Sequence, residues 1–307
     1  MLSSVELSVI GAVAAALFAA AVVAFITTPV VRSLAFKIGA VDVPRDNRRM
    51  HNHPIPRMGG LAIFFGFILS ALIFIPLTTP LRGMLLGAVI IVILGIFDDI
   101  YALPAMPKFL IPDPGRPHRR AHGQPDRHPL NPNIFSSDPY WVLGWLSIPI
   151  SVIWIVGITN AVNLIDGLDG LACGVSTISS MTMLVIALTV AEPEVALLMA
   201  ALSGGCIGFL PYNLNPAKIF MGDTGSTFLG FILAVVSIQG LFKSYAIISF
   251  AVPFLMLGLP IFDTCFAIFR RVSHGQSPHG PPTGGHIHHR LIDMGFSQKQ
   301  AVAVLYV

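Results

Sequence analysis

Four short stretches of this sequence carry carboxylates, glycines and imidazoles at spacings that suit chemistry on phosphate. GIFDDIYAL places Asp98 and Asp99 at the end of an apolar run. At a helix C-terminus the backbone dipole disfavours negative charge, so this pair calls for a positive partner. A divalent metal or Lys108 would serve, and a solvated acidic turn is the plainer use. NAVNLIDGLDGLACG sets Asn160, Asn163, Asp166 and Asp169 three residues apart. If helical, they form one polar ridge, since i and i+3 share a face. Gly167 and Gly170 predict that a helix breaks or begins here, leaving backbone N–H groups for an anion. NLNPAKIFMGDTGS holds Asp223 beside Gly222, where a bare backbone can come close to a phosphate–metal group, and offers Thr224 or Ser226 as a helix N-cap. Phe220 reads as a membrane-edge aromatic or as a stacking surface for a base. HIHHRL clusters His286, His288, His289 and Arg290. It lacks the closed ligand set that zinc takes, and contact with phosphate or sugar suits it better.

Membrane helices must position these side chains. The 307 residues are 54% hydrophobic and 11% charged, with a mean hydropathy of +0.78, too few ionic groups to cover a water-soluble globule. A net charge of +3 excludes a strongly basic nucleic-acid binder and an acidic disordered tail. Cys173, Cys206 and Cys265 each sit inside an apolar run and read as buried small side chains rather than disulfide or zinc ligands. Eight runs are long and apolar enough to span or nearly span a bilayer: about 7–28, 59–77, 84–97, 140–158, 171–191, 195–210, 227–242 and 246–269. The first is too long and too weakly cationic at its start for a cleaved signal peptide. The expected fold is all-α, a polytopic membrane bundle of about 8–10 helices, forming one domain over residues 1–307.

Orientation follows from the cations. The loop after the first run carries Arg32, Lys37, Arg45, Arg48, Arg49 and Arg57, which predicts a cytoplasmic loop and an external Met1. Counting onward, parity fails unless one more crossing lies between Lys108 and Asn131. With it, the inner face holds twelve cations against Arg82 and Lys243 outside, and nine of the twelve Asp residues fall on the inner side. Yet Ile111–Leu130 reads IPDPGRPHRRAHGQPDRHPL, with five Pro and four Arg. Each interior Pro costs a helix about 3 kcal/mol before any charge is desolvated. The expectation is a short slip of the reading frame, with a true cytoplasmic insert as the alternative.

With VDVPRDNRRMHNHPIPRMGG after the first helix, then GIFDD, NAVNLIDGLDGL, FMGDTGS and HIHHRL in that order, nearly the whole chain resembles the polyprenyl-phosphate N-acetylhexosamine-1-phosphate transferases. The resemblance implies a membrane enzyme that passes a sugar-1-phosphate, here GlcNAc-1-phosphate, from a UDP-sugar to undecaprenyl phosphate and releases UMP. It implies Mg²⁺, with Mn²⁺ as a substitute, and an active site on the cytoplasmic side of the inner membrane among membrane lipids. A homodimer is compatible with it. HIHHRL resembles the branch that primes envelope polysaccharides such as lipopolysaccharide O-antigen or teichoic acid, and the phospho-MurNAc-pentapeptide transferases come second.

By the same resemblance, Asp98 is the base or activator for the lipid phosphate, with Asp99 beside it in the metal–phosphate site. Asn163 and Asp223 match the metal ligands, Asp169 and Phe220 the uracil contacts, and Lys108 a pyrophosphate contact. Asp166 supports the nucleotide site, and His286, His288, His289 and Arg290 match the loop that meets the sugar phosphate. Three departures stand out. The polar stretch at 111–131 replaces an expected helix, no charged residue occurs from Val272 through His289, and Val307 precedes the family's last helices. They make an inactive remnant a rival reading. A transporter is the other, although its acids should lie near the bilayer midplane.

Overall fold

A computed structural model describes residues 4–44, 53–101, 146–240, 258, 291–292 and 294–306. Helix α1 (Ser4–Ile38) leads through a two-stranded antiparallel ribbon, β1 (Val41–Asp42) and β2 (Ile55–Pro56), into α2 (Gly60–Phe74) and α3 (Thr79–Tyr101). After the undescribed stretch 102–145 come α4 (Ser147–Ile165), α5 (Leu171–Thr189), α6 (Pro193–Asn213) and α7 (Gly222–Gly240). A short helix, α8 (Gln298–Leu305), closes the described chain. Among the described residues, five helices are long and apolar enough to cross a membrane, and Gly60–Phe74 and Gly222–Ile238 are apolar but shorter. The chain is an all-α polytopic membrane protein. The expected run at 246–269 lies outside the described residues, as do the stretch at 111–131 and the loop from 272 to 289.

Within lipid, apolar side chains gain little by leaving the solvent, so helices associate through close packing and interhelical hydrogen bonds. Small residues mark these seams. A Cβ at Gly204 or Gly208 of α6 would collide with the backbone of α1 at Leu17 and Ala21, and one at Gly66 of α2 with Ala20. The opposite side of α1 is left to lipid, where Phe18 is 69% exposed. Polar pairs add to the seams: Ser70 Oγ donates to Ala16 O at 2.8 Å, Ser203 Oγ to Ser180 Oγ at 2.8 Å, and Trp154 Nε1 to Ser237 Oγ at 2.9 Å.

Helix α7 is the centre of the arrangement. Its backbone touches α2 where Gly60 faces Gly225, α3 where Gly95 faces Thr224, and α4 where Gly230 faces Thr159, and a Cβ on any of these glycines would meet main-chain atoms. Phe228 fills the space towards α2 between Phe64 and Phe67, with ring centroids 5.5 Å away in each case. Because the C-terminal ends of α3 and α4 both meet the start of α7, these two helices run parallel. The last turn of α3 and the first turn of α4 therefore lie at opposite ends of the bundle; the crossing expected between Lys108 and Asn131 lies outside the described residues.

Candidate active site

Asp99 reaches from the last turn of α3 to the first turn of α7. Its Oδ1 accepts the Asp223 N–H at 2.9 Å, and its Oδ2 accepts the Thr224 N–H at 3.0 Å and the Thr224 hydroxyl at 2.6 Å. The positive partner of Asp99 is thus the N-terminus of α7, where unpaired N–H groups and the dipole favour a carboxylate. The expected metal or Lys108 is a separate matter, since Lys108 lies outside the described residues. The Asp99 contact also changes the part of Thr224, whose hydroxyl binds the Asp99 cap instead of capping its own helix. Gly222 has φ +72°, and a Cβ there would lie 2.5 Å from Asp99 Oδ2, so glycine is required for this approach. Asp98, the neighbouring carboxylate, is buried.

Asn163, on the last turns of α4, donates to Asp223 Oδ1 at 2.6 Å and to Ser226 Oγ at 2.8 Å. Ser226 gives its own hydrogen to Gly222 O at 3.0 Å, so its oxygen can only accept from the amide. Both amide hydrogens are then in use, and the Asn163 carbonyl oxygen is the atom left to meet a ligand.

The polar ridge expected along 160–169 does not form. Asn160 and Asn163 lie on α4, and Asn160 Nδ2 turns back to Val156 O at 2.7 Å. The helix stops with Asp166 as its C-cap, and Asp169 sits in the following loop, where Gly170 adopts φ +80° before α5 begins. The Asp166 carboxyl is half-buried and pushed up to about 8, first by burial, then by Asp223 and Asp99, with Arg57 opposing and Asp169 adding. These groups share one electrostatic site. Asp169 Oδ2 accepts Asn215 Nδ2 at 2.9 Å and the Ala217 N–H at 3.1 Å.

Arg57 enters the site from the β-ribbon, where it pairs with Asp42 at 2.7 Å. The segment before α7 lies along the same ribbon. Phe220 N–H donates to Pro56 O, Gly59 N–H to Phe220 O and Gly60 N–H to Met221 O, each at 2.9 Å. Phe220 is half-buried at this junction, and Met58 beside it is held at φ +74°. The cations of the 31–58 loop, Arg57 among them, read in the sequence first as a positive-inside signal and second as contacts for a lipid phosphate or anionic head groups; the place of Arg57 directly before Met58-Gly59-Gly60 is the signal that singles it out. The structure therefore brings Asp98, Asp99, Asn163, Asp166, Asp169, Phe220 and Asp223 to one end of the bundle. Lys108, His286, His288, His289 and Arg290 lie outside the described residues.

Among the described residues no three His, Cys, Asp or Glu side chains form a group that could hold a metal ion. Mg²⁺ does not need such a cage, because it keeps several waters and takes one or two carboxylates together with substrate phosphates. An Asp223 carboxylate beside the Asn163 carbonyl oxygen fits that sparser requirement.

The family model described as Glycosyl transferase family 4 matches residues 81–241. A Bacillus subtilis protein named "Probable undecaprenyl-phosphate N-acetylglucosaminyl 1-phosphate transferase" is 46% identical over 287 residues, covering 92% of this chain and 78% of the relative. The decaprenyl-phosphate N-acetylglucosaminephosphotransferase of Mycolicibacterium smegmatis is 32% identical over 327 residues, covering 94% and 77%. The phospho-N-acetylmuramoyl-pentapeptide-transferase of Limosilactobacillus fermentum is 38% identical over only 164 residues, 53% and 49% of the two chains. The chain belongs to glycosyl transferase family 4, the membrane family of polyprenyl-phosphate N-acetylhexosamine-1-phosphate transferases.

Proposed function

We propose that this protein transfers N-acetylglucosamine 1-phosphate from UDP-GlcNAc to undecaprenyl phosphate on the cytoplasmic face of the plasma membrane, the first membrane step of a cell-envelope polysaccharide. The observation that carries the reading is the convergence of Asp99 and Asn163 on the first turn of α7 around Asp223. Three helices thereby hold carboxylates, an amide oxygen and a helix N-terminus at one end of the bundle. Phosphoryl transfer asks for little else, because its catalysis is positioning and charge neutralisation. Similarity over more than nine-tenths of this chain to transferases named for N-acetylglucosamine, against 53% for the muramoyl-pentapeptide one, supports this donor. Acids gathered at helix ends, not at mid-bilayer, speak against transport.

In this mechanism an oxygen of the lipid phosphate attacks the β-phosphorus of UDP-GlcNAc, and the bond to the bridging oxygen breaks, so that UMP leaves with that oxygen. Asp98 takes the proton of the lipid phosphate. Asp99 positions α7, Asp223 and Asn163 Oδ1 would hold Mg²⁺ or Mn²⁺, and Asp166, Asp169 and Phe220 form the nucleotide side. Such a cation would supply charge neutralisation when bound. Lys108 and the loop with His286, His288, His289 and Arg290 complete the phosphate and sugar contacts.

Membranes carrying the chain, given UDP-GlcNAc, undecaprenyl phosphate and Mg²⁺, should release UMP in a lipid-dependent manner, and Asp223→Ala should abolish the release. UMP formation that ignores the lipid, or survives the substitution, would overturn the reading. No release from the chain, alongside release from a version with an apolar helix restored at 111–130, would identify an inactive copy.

A further inference from the structure

Helix α8 meets the loop between α4 and α5 directly through Tyr306, and through Asn215 of the α6–α7 connection at its other end. Tyr306, just after the helix, donates its hydroxyl to Gly170 O at 2.6 Å. Its phenol lies flush on α5, where a Cβ at Gly174 would run into the ring. Burial pushes that phenol up to about 12, so it is a protonated donor throughout the physiological range. At the other end of α8, Gln298 Oε1 accepts from Asn215 Nδ2 at 2.7 Å, and the same nitrogen donates to Asp169 Oδ2 at 2.9 Å. An amide nitrogen has two hydrogens. One goes to Asp169 and the other to Gln298, so Gln298 fixes the plane of the amide that orients the Asp169 carboxylate. Together with the Ala217 N–H, this holds Oδ2, and among the described residues Asp169 Oδ1 accepts no hydrogen bond.

The helix is built to stay in place. Ser297 and Gln300 form a reciprocal capping box, with Ser297 N–H donating to Gln300 Oε1 at 3.0 Å and Gln300 N–H to Ser297 Oγ at 3.4 Å. Ala301 and Val302 are buried against the core. Nothing in the helical register of α8 itself asks for Gln298 or Tyr306 at these positions; Tyr306 is used on the α4–α5 loop and Gln298 on Asn215, which bonds Asp169 of that loop.

We propose that α8 acts as a clamp on the donor-nucleotide loop, with Gln298 and Tyr306 as positioning residues that hold Asp169 in the orientation that receives the base of a uridine nucleotide. The clamp rests on the reading of Asp169 as a nucleotide contact. It does not touch the lipid phosphate or the α7 site, so its loss falls on donor affinity.

The test is calorimetric binding of UDP-GlcNAc with Mg²⁺ to the detergent-solubilised full chain, with Tm followed in parallel. Gln298→Met and Tyr306→Phe should each weaken binding about three- to tenfold, the scale of one lost hydrogen bond, while Tm changes little. Gln298→Glu, which keeps an acceptor for Asn215, should bind within about twofold of the parent. Tyr306→Phe removes a single oxygen and carries the test if Gln298→Met does not fold. Asp169→Ala is the reference. If it weakens binding while Gln298→Met and Tyr306→Phe match the parent, or lower only Tm, the clamp is overturned and the nucleotide reading stands. If the parent does not bind, or Asp169→Ala binds as the parent does, the nucleotide reading fails and the clamp with it.

Discussion

The two adjacent acids of GIFDD do different work. Asp99 spends both carboxylate oxygens on the first turn of α7, so its removal strips a charged cap from a buried helix start. Asp99→Ala should lower Tm by about 4–10 °C, as expected for losing hydrogen bonds to a charge. Asp98→Asn should leave Tm nearly unchanged and reduce transfer about 10²- to 10⁴-fold, the usual cost of removing a general base. Equal effects of the two substitutions on Tm would contradict this division. Asp166 makes a third prediction. Its carboxyl is pushed up to about 8 by burial and by Asp223 and Asp99, whereas an unfolded Asp titrates near 4. Folding therefore favours the neutral form, and the stability this contributes is lost as pH rises through about 8. With divalent cations chelated, the Tm advantage of Asp166→Asn over the parent should widen between about pH 5 and pH 8; a constant difference would contradict it. Residue types were readable in the sequence because acids and glycines stand out against apolar runs. Partners were not. Nothing in the spacing of GIFDD and FMGDTGS, 124 residues apart at Asp99 and Asp223, says that one caps the other's helix.

Helices were legible wherever an apolar run was long, and α5 and α6 begin within a few residues of the expected starts. Boundaries moved where polar residues continue a helix beyond its apolar part: α4 runs on through Asn160 and Asn163, because an amide on a helix can bond back or across and need not break it. The ridge expected over 160–169 failed at Asp166, where glycines end the helix. The packing role of glycine was also hidden, since a glycine that admits a neighbouring backbone looks the same in sequence as one facing lipid. This gives a paired test. Gly95→Ala would drive a Cβ into the Thr224 backbone and move α3 away from the turn that Asp99 caps, whereas Gly157 has nothing within 4 Å of its added Cβ. Gly95→Ala should lower Tm and transfer together. Gly157→Ala should leave transfer intact and raise Tm slightly, in keeping with the helix preference for alanine of about 1 kcal/mol. Thermal unfolding of the two variants in one detergent distinguishes them, and indistinguishable curves would refute the backbone contact at α7.

At the scale of the whole molecule, the cation count and the parallel course of α3 and α4 agree on one arrangement. On the proposed topology the ends carrying Asp99, Asn163 and Asp223 face the cytoplasm, the side of Lys218 and Arg32, where Arg32 Nε donates to Lys218 O at 3.1 Å. A Lys218→Cys variant should react with an impermeant maleimide only when the cytoplasmic side is opened; labelling of intact cells above the parent's background would invert the topology. The central claim is that a sugar phosphate, and not a bare sugar, moves to the lipid. It is tested most directly with UDP-GlcNAc carrying ³²P in the phosphate next to the sugar, incubated with membranes, undecaprenyl phosphate and Mg²⁺. The account predicts label in the lipid extract, UMP in the water phase, and loss of both with Asp223→Ala. Label remaining in the water phase as UDP would contradict it.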